Sequence, residues 1–188
     1  MARAPLRSLD DAPADAKELL AAAEARNGFL PNLLRVHANA PVALETYLTV
    51  YGINAPSSLS LAEREAVRIT AAAERGCGFC VAGHAAIITK AGLDPAVIAA
   101  LRARGHVPDA RLEAVARFTR SVIASRGHVE DADLAAFRAA GFDDQAALEV
   151  VLGVSLATLC NFANNLGDAS LNQQLEPFRW DAPRASAA

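Results

Sequence analysis

The sequence predicts an all-α protein, on three observations. Hydrophobic residues make up 53% of the 188 positions while aromatics make up 5%, so the core is built from Ala, Leu and Val, which suit closely packed helices better than a sandwich of sheets. Gly residues at helix-ending positions and Asp or Ser residues at helix-starting positions punctuate the chain at helix-length intervals. No segment shows the sustained alternation of a half-buried strand. A chain of this length buries about two thirds of its unfolded surface, enough for one self-supporting domain.

The elements follow in order. Residues 1–13, with Pro5, Pro13 and scattered charges, read as an N-terminal arm, and a helix runs from Ala14 to Asn27 with Gly28 just past its end. Phe29-Leu30-Pro31-Asn32 is a connector, after which Leu33, Leu34 and Val36 pack without a clear period. Pro41 sits at the first position of a helix over 42–51 that Gly52 ends. Ser60-Leu61-Ala62-Glu63 has the form of a capping box, so the next helix starts at Leu61 and runs towards Gly76. Another begins around Cys77, carries Cys80 and His84, and stops at Gly92; Asp94-Pro95 caps one that reaches Arg104. Asp109 opens a long helix to Arg126, Asp131 a short one to Gly141, and Asp143 or Asp144 an apolar one lasting to about Leu166. The reading is one multi-helical domain over 14–167 and a polar tail over 168–188, with Phe178 and Trp180 as anchors and the stretch from residue 182 onward loose. Ala91-Gly92-Leu93-Asp94 echoes Ala140-Gly141-Phe142-Asp143, and Arg104-Gly105-His106-Val107 echoes Arg126-Gly127-His128-Val129. The offsets, 49 and 22, disagree, and helix punctuation produces such echoes by itself, so an internal helical duplication stays open.

Charge and segment composition narrow the function classes. Eighteen Lys and Arg against 21 Asp and Glu leave −3 at neutral pH with no basic run, which lacks the footprint expected for nucleic acid or an anionic membrane. The first eight residues have no apolar core of a secretory leader, so a cytoplasmic protein is expected. The uncharged stretch from Val150 to Gly167 is broken by Ser155, Asn161, Asn164 and Asn165 and reads as a buried helix rather than a bilayer span. Three cysteines are too few and too odd in number for a disulfide scaffold. Cys77-Gly78-Phe79-Cys80 makes metal or redox chemistry the first question.

On a helix, Cys77, Cys80 and His84 fall within one stripe of roughly 60°. Free backbone N–H groups in the first turn stabilise a thiolate there, and a dithiol three residues apart closes a disulfide with little backbone movement. His84, one turn after Cys80, is placed to exchange a proton with it. Zinc is the competing use of two Cys and one His, but no second Cys pair or nearby His completes a tetrahedral site. Glu65 lies twelve residues before Cys77, and a tight turn at Arg75-Gly76 would bring its helix antiparallel to the cysteine helix. Taken alone Glu65 reads as a solvated position, because Glu63, Arg64 and Arg68 mark a charged side of that helix. Cys160 reads as a small buried thiol. Asn161 and Asn165, one turn apart, satisfy a core or interface network or line a pocket. His106 and His128 read as surface residues and His37 as a helix-end residue.

Glu65, eleven residues, then Cys77-Gly78-Phe79-Cys80-Val81-Ala82-Gly83-His84 resembles the Glu…Cys-x-x-Cys-x-x-x-His signature of the alkylhydroperoxidase D-like branch of the carboxymuconolactone decarboxylase family. Phe29-Leu30-Pro31-Asn32, Ala40-Pro41, Leu59 to Glu65, Asn161 and Asn165 also resemble the flanks of peroxidase-related members, so the likeness covers about residues 28–167. The resemblance implies an all-helical bundle of the alkylhydroperoxidase D-like type, trimeric or hexameric assembly, and thiol peroxidase activity without a cofactor. Carried over by position, Cys80 is the thiol that attacks the peroxide, Cys77 resolves the sulfenic acid as a disulfide, Glu65 and His84 form the proton relay, and an external dithiol reduces the enzyme. Phe79, which stands where some members carry a second histidine, and Asn161 are the substrate-contact candidates. Two other readings stay open: a non-redox lyase or hydrolase using His84 and Glu65 on a lactone-like substrate, and an interaction protein whose disulfide alters its assembly.

Overall fold

The computed structural model describes residues 2–182. Among them the chain forms α1 (Ala14–Asn27), α2 (Asn32–His37), α3 (Pro41–Asn54), α4 (Leu61–Glu74), α5 (Gly78–Lys90), α6 (Pro95–Ala103), α7 (Ala110–Ser125), α8 (Asp131–Ala139), α9 (Asp144–Gly167) and a 3₁₀ turn over Gln173–Phe178. The caps are those the sequence advertises. Ser60 and Glu63 form a reciprocal capping box, the carboxylates of Asp94, Asp109 and Asp143 accept from N–H groups opening α6, α7 and α9, and Gly28 ends α1 in the left-handed region.

The differences have identifiable physical causes. Gly52 does not end α3, which continues until Pro56 forbids another turn, and this carries Asn54 into a buried contact with Arg68. The connector after Pro31 contains the six-residue α2, too short to show a period; its start is tied down from the far end of the chain, Asn32 N–H donating to Asn172 Oδ1 at 2.7 Å and Asn32 Nδ2 to the Ser170 carbonyl at 3.0 Å. Glu130 rather than Asp131 occupies the N-cap of α8, without a side-chain cap. Cys77 is the N-cap residue of α5, not its first helical residue. Residues 183–188, most of the expected loose tail, lie outside the described residues.

Helix α4 is the hub, packed against α5, α6, α7 and α9. Its inner positions Ala66, Val67, Ile69, Ala71, Ala72 and Ala73 are buried, and they divide the interior in two. One cluster joins α1, α2 and α3 to the cysteine end of α5 and the second half of α9, while the other joins α6, α7 and α8 to the first half of α9 around the stacked rings of Phe118, Phe137 and Phe142. Phe178 touches both clusters and Trp180 packs on the first. The expected burial of α9 holds for one face. Leu148, Val151, Phe162 and Leu166 on the other face are exposed.

Close approach of α9 to α4 depends on Gly153, where a Cβ would stand 2.9 Å from Val67 Cγ1. Gly153→Leu is therefore expected to destabilise the fold by roughly 1–3 kcal/mol through overpacking. Urea unfolding checks this, and adding Val67→Ala should return part of the loss because the two sites are coupled.

Candidate active site

Helix α4 delivers Glu65 and helix α5 delivers Cys80 and His84. Glu65 is 0% exposed, yet both carboxylate oxygens are used: Oε2 lies 2.6 Å from His84 Nδ1 and Oε1 accepts from Arg68 Nη1 at 2.6 Å. Arg68 in turn donates to Asn54 Oδ1 at 2.6 Å and stacks under the Tyr51 ring with its guanidinium carbon 4.6 Å from the centroid. Burial alone would raise the Glu65 carboxyl, but His84 and then Arg68 outweigh it and hold the group below the ordinary carboxylate value. The charged side expected of α4 is thus not a solvated face. Arg68 is buried with Glu65, and Glu63 is buried between the Ser60 cap and Arg111.

The two motif thiols differ in depth and in character. Cys77 is fully buried. The chain after the 3₁₀ turn runs beside the next residue, so near that a Cβ on Gly78 would meet the Trp180 carbonyl oxygen at 2.7 Å. Hydrogen bonds from the Cys80 side chain, the Cys80 backbone N–H and the Asn164 and Asn161 amides outweigh burial and lower the Cys77 thiol from its ordinary value. Burial, together with Cys160 and Cys77, pushes the Cys80 thiol well up. The first-turn stabilisation therefore falls on Cys77.

Cys80 faces a cavity of about 340 Å³ between α1, α2, α3 and α5. Leu34, Tyr47, Tyr51, Phe79 and Ile87 supply apolar wall, Cys80, His84 and Cys160 face into it, and the exposed Arg26 and Lys90 stand at its rim. Cys77 does not line it. A larger groove of about 630 Å³ along α7 and α8 is open and carries arginines and carboxylates but no thiol or imidazole. The smaller cavity is the one that joins a nucleophile to a proton carrier.

Glu65, Cys77, Cys80 and His84 are thus brought together, with Phe79 on the cavity wall. Asn161 is buried behind Cys77 rather than in the cavity lining, and Asn165 donates to the Arg75 carbonyl at 2.9 Å, pinning the turn between α4 and α5 to α9. His37 is buried under Tyr47, ring centroids 5.4 Å apart, with Nδ1 on the Leu33 carbonyl at 2.9 Å. The sequence places Arg68 on a solvated charged side and Cys160 as a small buried thiol without a place in the site, and it gives no role to Tyr47 or Tyr51. Only Arg68 left a signal, lying three residues after Glu65 on the same helix. Among the described residues no group of three or more His, Cys, Asp or Glu side chains is placed to hold a metal ion.

Residues 41–121 match the carboxymuconolactone decarboxylase family. No curated protein matches the chain by sequence. Its fold aligns with an alkylhydroperoxidase AhpD core, an uncharacterized peroxidase-related protein from Ralstonia eutropha JMP134, at TM-score 0.82 and 23% identity over 93% of this chain and 94% of that one. An uncharacterized peroxidase-related protein from Silicibacter sp. TM1040 aligns at 0.79 and 21% over 94% of each chain, and the debrominase Bmp8 at 0.75 and 16% over 93% and 94%. At such identities the likeness is one of fold. Glu65, Cys77, Cys80 and His84 all fall inside the segment, residues 41–121, that matches the carboxymuconolactone decarboxylase family model, on a chain whose fold aligns with that of an alkylhydroperoxidase AhpD core.

Proposed function

We propose that this protein is a thiol-dependent peroxidase that reduces organic hydroperoxides, and hydrogen peroxide, through a disulfide between Cys77 and Cys80. One observation carries the reading: Cys80 faces an apolar cavity beside an imidazole fixed by a buried carboxylate, with a second thiol directly behind it. Glu65 fixes the orientation of His84 through Nδ1, which leaves Nε2 to take the Cys80 proton. The Cys80 thiolate attacks the peroxide, the O–O bond breaks, sulfur keeps one oxygen as sulfenic acid, and His84 returns the proton to the departing alkoxide as an alcohol. Cys77 then attacks the Cys80 sulfur, the S–O bond breaks and water is released. An external dithiol supplies the two electrons that restore both thiols.

The apolar wall and the two rim cations favour an organic hydroperoxide with an anionic group over hydrogen peroxide. Self-association belongs to the same proposal, since the exposed apolar face of α9 suits burial against another copy in a trimer or hexamer.

The test is stoichiometric. Reduced protein given one equivalent of cumene hydroperoxide should lose two thiols, and peptide mapping after rapid alkylation should join Cys77 to Cys80. Both thiols staying reduced, at hydroperoxide concentrations that oxidise free glutathione, would end the peroxidase reading.

A further inference from the structure

Cys160 is the buried nucleophile that the scheme above leaves idle, and its position is specific. It comes from α9, eighty positions from Cys80 in sequence, yet the Cys80 thiol donates to its sulfur across 3.9 Å. That is van der Waals contact between two sulfurs that have no covalent link. Both thiols are buried in the protein fabric and both line the 340 Å³ cavity, whereas Cys77 lies behind it. Tyr47 completes the group. Its hydroxyl is beside Cys160, and burial first, with Cys160 next, keeps it protonated far above the ordinary phenol range, so it is a standing hydrogen-bond donor next to that sulfur. A small apolar filler would have needed none of this.

We infer that Cys160 is a second resolving thiol, able to condense with a Cys80 sulfenic acid from the cavity side once the alcohol has left. The inference rests on the peroxidase reading. In this step the Cys160 sulfur attacks the Cys80 sulfur, the S–O bond of the sulfenic acid breaks, the Cys160 proton leaves with the hydroxide as water, and a Cys80–Cys160 disulfide forms with no added oxidant. The two thiols are already in contact, and the same external dithiol reverses the bond. In the wild-type protein Cys77 wins, because the hydrogen bonds it accepts favour its thiolate. Cys160 acts when Cys77 is absent or already oxidised, and it intercepts the sulfenic acid before a second hydroperoxide carries it to the sulfinic state.

Peptide mapping of Cys77→Ser after one equivalent of cumene hydroperoxide tests this. The expected product is a Cys80–Cys160 disulfide, with Cys80 refractory to dimedone. In Cys77→Ser/Cys160→Ser, Cys80 should instead be trapped by dimedone and should pass to the sulfinic acid in excess hydroperoxide. Cys77→Ala gives the same map if the serine variant folds poorly. Persistent sulfenic acid on Cys80 beside a free Cys160 in Cys77→Ser overturns the inference and leaves the peroxidase standing. No oxidation of Cys80 in the wild-type protein overturns the peroxidase and the inference together.

Discussion

Cys80→Ser is expected to reduce hydroperoxide turnover to the uncatalysed background, a loss of at least about 10³-fold in kcat/KM. A serine hydroxyl at this position has neither the nucleophilicity nor the accessible oxidation states of sulfur. The substitution should barely disturb the fold, since it exchanges one small buried group for another and surrenders only weak sulfur contacts with Cys160 and Cys77. Cys77→Ser behaves differently: its first oxidation by cumene hydroperoxide survives, because the cavity-facing thiol is intact. Steady-state assays with dithiothreitol as reductant compare the variants. Activity in Cys80→Ser within about tenfold of wild type would take the peroxide-attacking role away from Cys80.

The second large effect belongs to Glu65→Gln. A glutamine has the right shape but presents an N–H₂ group to one of two partners that both need an acceptor, and it leaves the Arg68 guanidinium buried without a counter-charge. Breaking a buried ion pair from one side costs about 3–5 kcal/mol, and a His84 that has lost its orienting carboxylate should lose about 10²–10⁴-fold in kcat. Urea unfolding and steady-state kinetics read the two losses separately. The stability difference should depend on pH with a definite sign. The Glu65 carboxyl is held below its ordinary value of 4.5 in the folded chain, by His84 and Arg68 against the opposing effect of burial. Its contribution is therefore complete above that value and disappears as pH falls through the folded-state value. The gap between wild type and Glu65→Gln should be full at pH 7 and should close in acid; a gap that widens on acidification would contradict the ion pair.

Helix positions were legible because their determinants are local. A Ser with a Glu three residues on, an Asp before an apolar run and a Gly behind one each act through one turn of backbone, and α4, α6, α7 and α9 start where such signals stand. The features that escaped are held by partners distant in sequence. Helix α2 depends on Asn172 and Ser170, the last turn of α3 on Arg68 donating to Asn54, and the burial of Arg68 on a carboxylate and a ring that face it only in the folded chain. The site divides along the same line. Cys77, Cys80 and His84 share one helix end, so their spacing announces them, and Glu65 joins them through a short turn. Cys160 arrives from another helix and looks like any small core residue until α9 is docked.

In the proposed peroxidase cycle, the difference in depth between the two motif sulfurs would also set the direction of the return half. In a Cys77–Cys80 disulfide the Cys80 sulfur would be the one that meets the cavity, since Cys77 is fully buried and does not line it. An incoming reductant must therefore form its mixed disulfide with Cys80 and expel Cys77 as the leaving group. Cys77 suits that part, since its hydrogen-bonded thiol sits below the ordinary value and thiols of lower pKa depart faster. In that proposed cycle, the arrangement that hides Cys77 from peroxide would make it the electron-pair acceptor on reduction and would give reduction a single regiochemistry.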